Sequence, residues 1–545
     1  DPRDPLSNRC ISIICCVAKL YSKLLNTRLQ KYLESNDILV EEQNGFRASR
    51  CIDHLFVIVT ILRNRKLSGQ ETFLSFIDYK KAFDSVERGL LLYKLSQIGV
   101  NGHMYQAISS LYSNPRSRVI LNEFETNYFQ CPIGVKQGDC LSPTLFAIFI
   151  NDLAHEIKAS NIGISLNETT FVNILLYADD IILLASNEED LQSLLFIVEN
   201  WCKRWRLEIN LTKTNIMHVR GVRKKQSNFM FLFDKRPIMY CRDYKYLGAN
   251  VNEFLDFNFT AGCLADSAGR ALSSIITKMI KNGGFPYKVY SILYDSCVTS
   301  ISDYCGEVIG YDQHPATLAV HTRAIRAFIG LPKNTCSVGV LSEVDWLLPQ
   351  YRTRVRMVRM FNRIVKMSEN RLTKKVFLWD KNLNDSNQMS SWSSVIKSIF
   401  SDCNMLHIYD NCSPFNVKST TTEMQLLFKI QQQNYLKAEC QTKPKLRTFI
   451  KIKNFTEIPA YIVKPLSFVQ RRHIGKTRLG SLQIRLETGR YSRPVLEEHL
   501  RTCLVCVQGN HEGHQDQVEN EHHFIFICRT YANLRREWLE KITVP

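Results

Sequence analysis

The sequence predicts an α+β fold in which helices pack on a largely antiparallel sheet. Two apolar runs between Phe171 and Ala185 flank the turn Tyr177-Ala178-Asp179-Asp180, which is the pattern of a β-hairpin with an acidic tip. A further apolar strand ends at Asp78, and a helical stretch that begins at Glu87 follows it. This order of strand, acid and helix is typical of a catalytic domain whose carboxylates lie at strand ends.

The three carboxylates indicate a metal site. Adjacent carboxylates such as Asp179 and Asp180 repel each other unless cations neutralise them. Taken alone, this pair fits an ordinary polar turn equally well. Asp78 lies in a similar setting and favours the metal site, because three carboxylates at strand ends can hold two Mg²⁺ ions about 4 Å apart. Such a pair activates an attacking hydroxyl and neutralises a transferring phosphoryl group.

Composition narrows the class of partner. The chain has 545 residues, enough for roughly three or four domains. Its formal net charge of +18 favours a polyanionic partner, with nucleic acid the leading candidate. Its 18 cysteines are scattered through apolar segments, which is typical of reduced thiols in an intracellular, cytoplasmic and nuclear protein. No apolar run approaches about 18 residues and no signal-peptide pattern is present, so we expect no membrane span and no secretory route.

Two amphipathic helices are predicted from their apolar periodicity. We expect the apolar face of the first to be buried in the core. Its residues recur at helical spacing: Val17, Leu20, Tyr21, Leu24, Leu25, Leu29, Tyr32 and Leu33. The second helix follows Asn187, which is a suitable N-cap.

Two loops contain residues suited to phosphate or base contacts. Arg47 and Arg50 lie near a glycine-bearing turn, where an arginine can bind phosphate oxygens in bidentate fashion or remain a solvated charge. The loop from Cys131 to Leu145 contains two glycines before Ser142-Pro143, which resembles a helix N-cap and first helical position. Such a loop can approach a nucleotide or template base closely, although many such loops are only turns.

A series of motifs in this chain resembles the reverse transcriptases of non-LTR, LINE-type retrotransposons. In order they are Asn8-Arg9-Cys10-Ile11-Ser12, QNGFRASR, FIDYKKAFD, GVKQGDCLSP, YADD, NLTKT and YLG, which together cover roughly residues 7 to 250. The resemblance implies a right-hand polymerase with fingers and palm over residues 1–255 and a helical thumb over 256–345. The chain departs from the family at Cys10 and Cys140, where proline is usual. Replacing proline loosens a turn, at a cost of about 1 kcal/mol or less.

The resemblance also implies a role for each residue that matches a family motif. Asp78, Asp179 and Asp180 would hold two catalytic Mg²⁺ ions, and Phe83 would be the steric gate that excludes a 2′-hydroxyl. Gln137 and Gly138 would line the nucleotide and template, and Arg47 and Arg50 would contact the triphosphate. Lys213 would lie near the leaving group of the triphosphate, and Tyr246-Leu247-Gly248 would form the primer grip. The implied partners are an RNA template, a DNA primer or target DNA, and dNTPs.

Residues 346–475 are predicted to form a basic helical connector with a flexible segment. Four arginines fall on one helical face, where they can track phosphates or form a solvated basic surface: Arg352, Arg356, Arg359 and Arg363. Residues 380–420 are rich in Ser, Asn and Asp, and we expect a loop or flexible linker there.

Residues 476–545 contain a cysteine and histidine cluster. Two residues separate Cys503 from Cys506 and four separate His523 from Cys528, a spacing that suits a tetrahedral Cys3His zinc site. The alternative is a set of unpaired structural cysteines. Three rival ligands are also present: His511, His514 and His522. The segment resembles the C-terminal region of the same retrotransposon proteins, where His523 is the matching position, and the resemblance implies a role in binding RNA or DNA.

Two functions from different classes fit this sequence. One is an active RNA-directed DNA polymerase, and the other is a catalytically idle relic that still binds nucleic acid. The intact Asp78, Asp179 and Asp180 favour the polymerase, because a relic is free to lose an acid. We find no nuclease before the polymerase motifs or after Cys528, so we expect the chain to be part of a longer protein of the element.

Overall fold

The computed structural model describes residues 11–47, 51–121, 124–168, 170–310, 314–386, 388, 391–509 and 517–543. Contacts divide the chain into a first unit, residues 1–257 with 360–414, and a second unit, residues 258–359 with 415–545. In the described part of the chain, no helix is both long enough and apolar enough to cross a membrane.

Among the described residues, the strands all lie in the first unit. They are β1 (Thr72–Ile77), β2 (Arg116–Ser117), β3 (Ile120–Leu121), β4 (Phe124–Glu125), β5 (Phe129–Gln130), β6 (Ile164–Ser165), β7 (Phe171–Val172), β8 (Ile174–Tyr177), β9 (Asp180–Ala185), β10 (Asn215–Val219), β11 (Leu232–Phe233), β12 (Arg236–Pro237), β13 (Met239–Tyr240), β14 (Asp243–Tyr246) and β15 (Ala249–Asn252).

Helices occur throughout both units. They are α1 (Cys16–Ser35), α2 (Cys51–Leu67), α3 (Arg88–Gln97), α4 (Gly102–Tyr112), α5 (Ser142–Ala159), α6 (Glu188–Trp205), α7 (Phe257–Lys281), α8 (Tyr287–Tyr294), α9 (Ser300–Ser302), α10 (Gly306–Ile309), α11 (Pro315–Ile329), α12 (Ser337–Ser342), α13 (Pro349–Val365), α14 (Leu372–Asp385), α15 (Ser393–Asp402), α16 (Leu406–Asn411), α17 (Val417–Gln441), α18 (Arg447–Ile452), α19 (Ala460–Val463), α20 (Phe468–Arg478), α21 (Arg485–Thr488), α22 (Leu504–Gln508) and α23 (Ala532–Thr543).

A five-stranded sheet with the order β13-β10-β1-β9-β8 forms the centre of the first unit. β1 is antiparallel to both β10 and β9, and β9 is antiparallel to β8. The edge strand β13 runs parallel to β10. All six residues of β1 are buried, because helices and neighbouring segments cover both faces of the central strands. This mixture of helices with a largely antiparallel sheet confirms the predicted α+β class.

Helix α6 forms as its sequence predicts. The Asn187 side chain accepts a hydrogen bond from the backbone N–H of Asp190 at 2.8 Å, which caps the first turn. One face of the helix is buried against the sheet and α5, and its residues are Leu191, Leu194, Leu195, Val198, Trp201 and Cys202. α5 itself begins at Ser142 with proline in its first turn and is buried along most of its length. These helices support the sheet from one side.

The prediction that the whole apolar face of α1 is core is wrong for its first half. Leu25, Leu29 and Leu33 are buried. Four residues of the same face are exposed: Val17, Leu20, Tyr21 and Leu24. Apolar periodicity identifies an amphipathic helix, but it does not determine how far a covering surface extends along it.

The predicted flexible segment at residues 380–420 is also wrong, because this part of the chain is mostly helical, from α14 to the start of α17. Its polar residues form specific contacts inside the first unit. The buried Asp380 carboxylate accepts hydrogen bonds from the backbone N–H groups of Ser391 and Ser393 at 3.1 and 2.6 Å. Ser and Asp here satisfy helix ends rather than mark a linker.

Three of the four arginines on α13 form internal ion pairs. In the second unit, Arg352 lies 2.7 Å from a carboxylate oxygen of the buried Asp303, and Arg356 donates to the Asp303 carbonyl at 2.8 Å. In the first unit, Arg363 lies 2.7 Å from the carboxylate of Asp53. These side chains are committed to protein partners, which disfavours both a free row that tracks phosphates and a fully solvated face.

Candidate functional site

The three acids meet at one end of the central sheet. In the antiparallel pairing of β1 with β9, Ile77 lies opposite Ile181. Asp78 follows Ile77 and Asp180 precedes Ile181, so the register places these two acids side by side, with backbones about 5 Å apart. Tyr177 pairs with Asp180 to close the β8–β9 hairpin, and Asp179 lies in its tip. Strand register therefore brings the backbones of Asp78 and Asp180 together, with Asp179 in the adjoining turn.

A basic loop adjoins Asp78. The Lys213 ammonium lies 4.0 Å from a carboxylate oxygen of Asp78 and is well exposed. The Asp78 backbone N–H donates to the Thr214 hydroxyl at 3.3 Å, and the Asn210 N–H donates to the Asp78 carbonyl at 2.7 Å. Backbone contacts therefore fix the NLTKT segment beside the acid, and its lysine supplies a positive charge at the site.

Neutral phenols line the protein side of the acids. Burial, reinforced by the charges of Asp180 and Asp78, raises the pKa of Tyr244 to about 12. Burial and then the charge of Asp180 also raise the pKa of Tyr246 well above its ordinary value. The Tyr244 ring stacks on Phe76 of β1 with centroids 4.0 Å apart. These tyrosines stay protonated at neutral pH and add no negative charge to the cluster.

The hairpin tip is held by residues 42–45, which we call the strap. The Leu176 N–H donates to the Glu42 carbonyl and the Asn44 N–H donates to the Leu176 carbonyl, both at 2.9 Å, so the strap pairs with β8. The Gln43 side-chain oxygen accepts hydrogen bonds from the N–H groups of Gly45 at 2.8 Å and Ala178 at 3.3 Å. Sequence reasoning missed this contact, for which the Gln-Asn-Gly motif was the available signal.

Close backbone approach explains the glycine of the strap. A Cβ atom on Gly45 would lie 2.1 Å from the backbone nitrogen of Ala178. Ala178 itself has a left-handed φ of +58° at the hairpin tip. The strap and the tip therefore fit together only with glycine at position 45.

Arg47 forms contacts within the protein. Its guanidinium pairs with the Glu34 carboxylate at 2.7 Å and donates to the carbonyls of Val40 and Gln43 at 3.1 and 3.2 Å. These bonds hold the side chain beside its own loop, and its contact with a triphosphate stays a prediction. The other predicted contact, Arg50, lies outside the described residues.

Phe83 lies between two aromatic rings. It stacks on Phe146 of α5 with centroids 4.9 Å apart, and the edge of Phe46 meets it at 6.2 Å. Its carbonyl accepts a hydrogen bond from the Val135 N–H at 2.8 Å, which joins the segment after Asp78 to the glycine-bearing loop. The ring is partly buried, so part of it remains accessible.

The loop that contains Gln137 and Gly138 contacts the N-terminal segment. The Ser12 N–H donates to the Gln137 carbonyl at 2.8 Å, and Gly138 has a φ of +111°. Arg88, which the sequence reasoning missed, organises the start of this loop. Its guanidinium donates to the carbonyls of Gly134 and Ile133 at 2.9 and 3.0 Å, and also to Cys131. One arginine thereby satisfies three carbonyl groups of the turn.

Tyr246-Leu247-Gly248 forms the tight end of the β14–β15 hairpin. Leu247 and Gly248 both have left-handed φ values, +46° and +84°, as a two-residue type I′ turn requires. The buried Tyr246 hydroxyl lies 2.9 Å from Nδ1 of His54. Nε2 of His54 donates to the Glu42 carbonyl at 3.0 Å. A histidine that gave no sequence signal thus connects this hairpin to the strap.

The four predicted zinc ligands converge in the second unit. Ligand atoms of Cys503, Cys506, His523 and Cys528 all lie within 4.8 Å of one another, and all four residues are buried. The Cys506 sulfur is 3.5 Å from both the Cys528 sulfur and Nε2 of His523. Tetrahedral zinc with Zn–S bonds of about 2.3 Å requires sulfur atoms about 3.8 Å apart, which is close to this spacing.

The local fold explains the convergence. Thr502 bridges to Val518, and Cys503 precedes α22, which presents Cys506 one turn later. Nδ1 of His523 lies 3.2 Å from the Gln517 side-chain oxygen, the kind of contact that orients a metal-ligating histidine. The rival His522 is exposed, and the other two rivals, His511 and His514, lie outside the described residues. The cluster is a possible metal centre.

All three acids lie in the part of the chain that is similar to known proteins. Residues 3–251 match the family described as "Reverse transcriptase (RNA-dependent DNA polymerase)". The chain is 25% identical over 263 residues to a probable RNA-directed DNA polymerase from transposon X-element of Drosophila melanogaster, covering 47% of this chain and 28% of that protein. It is 26% identical over 201 residues to the Pol polyprotein of the type-1 retrotransposable element R2 of Popillia japonica, covering 36% and 33%. These alignments span about a third or less of the relatives' length.

A sheet with three acids at one end, together with the family match, identifies residues 3–251 as a reverse transcriptase domain. This domain is of the non-LTR, LINE-type retrotransposon class, as its motif order predicts. Its similarity to the RNA-directed DNA polymerase from mobile element jockey of Drosophila funebris, 25% identical over 264 residues, agrees with that class. The jockey alignment covers 47% of this chain and 28% of the relative.

Solved telomerase structures overlap with the chain more weakly. Apo telomerase from Candida Tropicalis is 10% identical with a TM-score of 0.34, covering 75% of this chain and 55% of that one. Telomerase from Candida albicans in complex with a fragment of telomeric RNA is 12% identical with a TM-score of 0.29, covering 70% and 56%. Overlaps at these scores are too low to define fold or function.

Proposed function

We propose that this protein is the RNA-directed DNA polymerase of a non-LTR retrotransposon, which copies element RNA into cDNA by nucleotidyl transfer from dNTPs. The observation that best supports the proposal is the register of β1 with β9, which sets Asp78 beside Asp180 inside the reverse transcriptase match. The primer is a DNA end, supplied by a nicked genomic target.

The first unit provides the palm and the fingers of a right-hand polymerase. The central sheet with α3, α5 and α6 is the palm, and α1, α2 and the strap form the fingers. The helices from α7 onward supply the thumb, close to the boundary expected at residue 255. The hairpin end Tyr246-Leu247-Gly248, rigid because of its two-residue turn and the buried Tyr246, serves as the primer grip.

The acids suit two Mg²⁺ ions, because Asp78, Asp179 and Asp180 offer only carboxylate oxygens, the ligands that Mg²⁺ prefers. When bound, the ions would activate the primer hydroxyl and neutralise the reacting phosphates. Lys213 is 4.0 Å from Asp78 and exposed, so its ammonium is placed to offset charge on the pyrophosphate leaving group. Strap contacts hold the hairpin tip in place, so the acids need little reorganisation during the reaction.

Phe83 is proposed as the steric gate. Its ring is held on one side by Phe146 and touched on its edge by Phe46, and part of it stays accessible. A flat, fixed ring beneath the sugar would overlap a 2′-hydroxyl but accept a deoxyribose. Gln137 and Gly138 would line the nucleotide and template from the neighbouring loop.

The cysteine and histidine cluster is proposed as a structural Cys3His zinc site that stabilises a nucleic-acid-binding tail. Four buried ligand atoms leave no open position for catalysis, which is the character of a structural site. Arg447 links the same segment to the rest of the second unit through ion pairs with Glu487 and Glu521, both at 2.8 Å. Zinc there would therefore fix a small folded element rather than a mobile tail.

Primer extension on an RNA template with Mg²⁺ tests the polymerase proposal. Asp179→Asn is expected to abolish dNTP addition and leave RNA affinity nearly unchanged, because it removes charge from the metal site and not from phosphate contacts. Asp234→Asn is a matched control, since this exposed aspartate, like Asp179, lies in the two-residue turn of an antiparallel hairpin. Extension by Asp179→Asn would contradict the metal assignment, and RNA binding without extension by the wild type would indicate an idle relic.

A further inference from the structure

Residues 360–414, which we call the brace, lie beyond the reverse transcriptase match but belong to the same unit as residues 1–257. We propose that the brace positions the acidic hairpin tip by clamping α2 and the strap, and that Arg371 is the main positioning residue. This inference rests on the proposed polymerase function for its catalytic consequence. Its structural part stands on the contacts alone.

Two arginines of the brace pair with carboxylates beside the strap and on α2. Nε of Arg371 lies 2.6 Å from a Glu41 carboxylate oxygen, and another of its nitrogens lies 3.6 Å from Asp53. Arg363 lies 2.7 Å from the other Asp53 oxygen. Because the Asp53 side chain is only 2% exposed, its charge needs these partners. The two arginines therefore join Glu41, next to the strap, to the first turn of α2.

The brace also contacts the other end of α2. Asn64 near its C-terminal end donates to the Asp380 carboxylate of the brace at 2.6 Å. One turn after Asp53, the rings of Phe56 and Trp392 meet edge to face, with centroids 5.2 Å apart. The brace thus contacts α2 in its first two turns and in its last turn, which restrains the helix from shifting.

The strap connects α2 to the tip of the β8–β9 hairpin. His54, one residue after Asp53, is buried and donates to the Glu42 carbonyl of the strap at 3.0 Å. The strap in turn pairs with Leu176 and lies against Ala178 through Gly45. A shift of α2 or of Glu41 is therefore passed to the residue that precedes Asp179. Packed contacts of this kind transmit displacement because they leave little free space.

Hydrogen–deuterium exchange on the full chain tests this connection directly. In Arg371→Met, we expect amides of residues 42–47 and 174–182 to exchange about tenfold faster, because local opening becomes easier. Lys381→Met is the matched control, since it removes one positive charge and one ion pair, to Asp385, from the same helix. It should leave exchange at 174–182 unchanged.

A second variant separates positioning from folding. If Arg371→Met unfolds the chain, Arg371→Lys keeps the charge toward Glu41 but loses the fork that also reaches Asp53, and intermediate exchange is expected. Combining Arg371→Met with Glu41→Gln also removes the carboxylate charge that Arg371 no longer offsets, and should restore part of the protection. Faster exchange confined to α14, with residues 174–182 at the wild-type rate, would overturn the proposal.

Steady-state kinetics distinguishes a brace that positions the hairpin tip from one that only stabilises the fold. Arg371→Met is expected to lower kcat for dNTP addition about tenfold while KM for primer and template stays near the wild-type value, since the tip and not the nucleic-acid surface is displaced. Equal kcat would count against the brace. A wild-type chain without any incorporation would instead defeat the polymerase proposal, and the exchange experiment would still decide the brace.

Discussion

Gly45→Ala offers the sharpest test of how the catalytic tip is held. The added methyl would lie 2.1 Å from the Ala178 backbone nitrogen, and 2.9 Å from both the Ala178 Cα and the Tyr177 carbonyl carbon. Real Cβ atoms essentially never approach closer than 3.0 Å, so the strap or the hairpin tip must move by about 0.9 Å or more. Backbone atoms on both sides leave no flexible side chain to turn away.

The expected loss follows from that displacement. Overpacking of this kind costs about 1–3 kcal/mol of stability. A misplacement of roughly 1 Å at reacting groups can lower the rate about 100-fold. We therefore expect single-turnover dNTP addition to fall by about two orders of magnitude, while thermal unfolding shifts by only a few degrees.

Gly221→Ala provides the matched control. Nothing lies within 4 Å of a Cβ at Gly221, and its φ is not left-handed. The same substitution there should leave incorporation unchanged. Wild-type incorporation by Gly45→Ala would refute the idea that the strap sets the position of the acids.

Three further predictions concern other sites. Cys503→Ser and Cys528→Ser should each lower bound zinc in metal analysis and destabilise the tail locally, with the first unit still folded; zinc near the wild-type level would contradict the assignment. Phe83→Ala should lower the ratio of kcat/KM for dNTP over rNTP and slow dNTP addition, and an unchanged ratio would make Phe83 only a core residue. Burial, partly offset by Asp152, lowers the pKa of Lys94 to about 8 from an ordinary 10.5. Between those pH values the Lys94 side chain is protonated in the unfolded chain and not in the folded chain. The free energy of unfolding therefore rises as pH increases from about 8 to 10.5, by about 3 kcal/mol at most. Urea unfolding across that range should show the slope in the wild type relative to Lys94→Met, and parallel pH profiles would refute it.

Much of the candidate site could be identified in the sequence because its signals are local. A strand that ends in an acid and a hairpin with an acidic tip are patterns of a few residues, so Asp78, Asp179 and Asp180 stood out before any fold was known. The helix after Asn187 was equally local, since capping and periodicity act within one or two turns. The ligand spacing at Cys503 and Cys506 was also readable, and the structure then favoured His523 over the exposed His522.

Charged residues were the least predictable. The contact of Arg47 with phosphate stays a prediction, but no local signal indicated that the fold would bring Glu34 within 2.7 Å of it. An arginine pairs with whichever carboxylate the chain places nearby, and that placement depends on residues far away in sequence. The prediction of a flexible segment at 380–420 failed for a related reason, because Asp380 binds Ser391 and Ser393 more than ten residues away and Asn64 of α2, and none of these partners is marked by the local composition.

The sequence by itself determined the class of fold, the three acids and their order, because these depend on short-range propensity and on motifs that remain together along the chain. Only the tertiary structure decided which of them meet and what holds them. Asp78 and Asp180 become neighbours through pairing of strands about a hundred residues apart, and Gly45 matters because of a backbone that approaches from Ala178. Such contacts are set by packing of whole elements against one another, for which a linear pattern contains no signal.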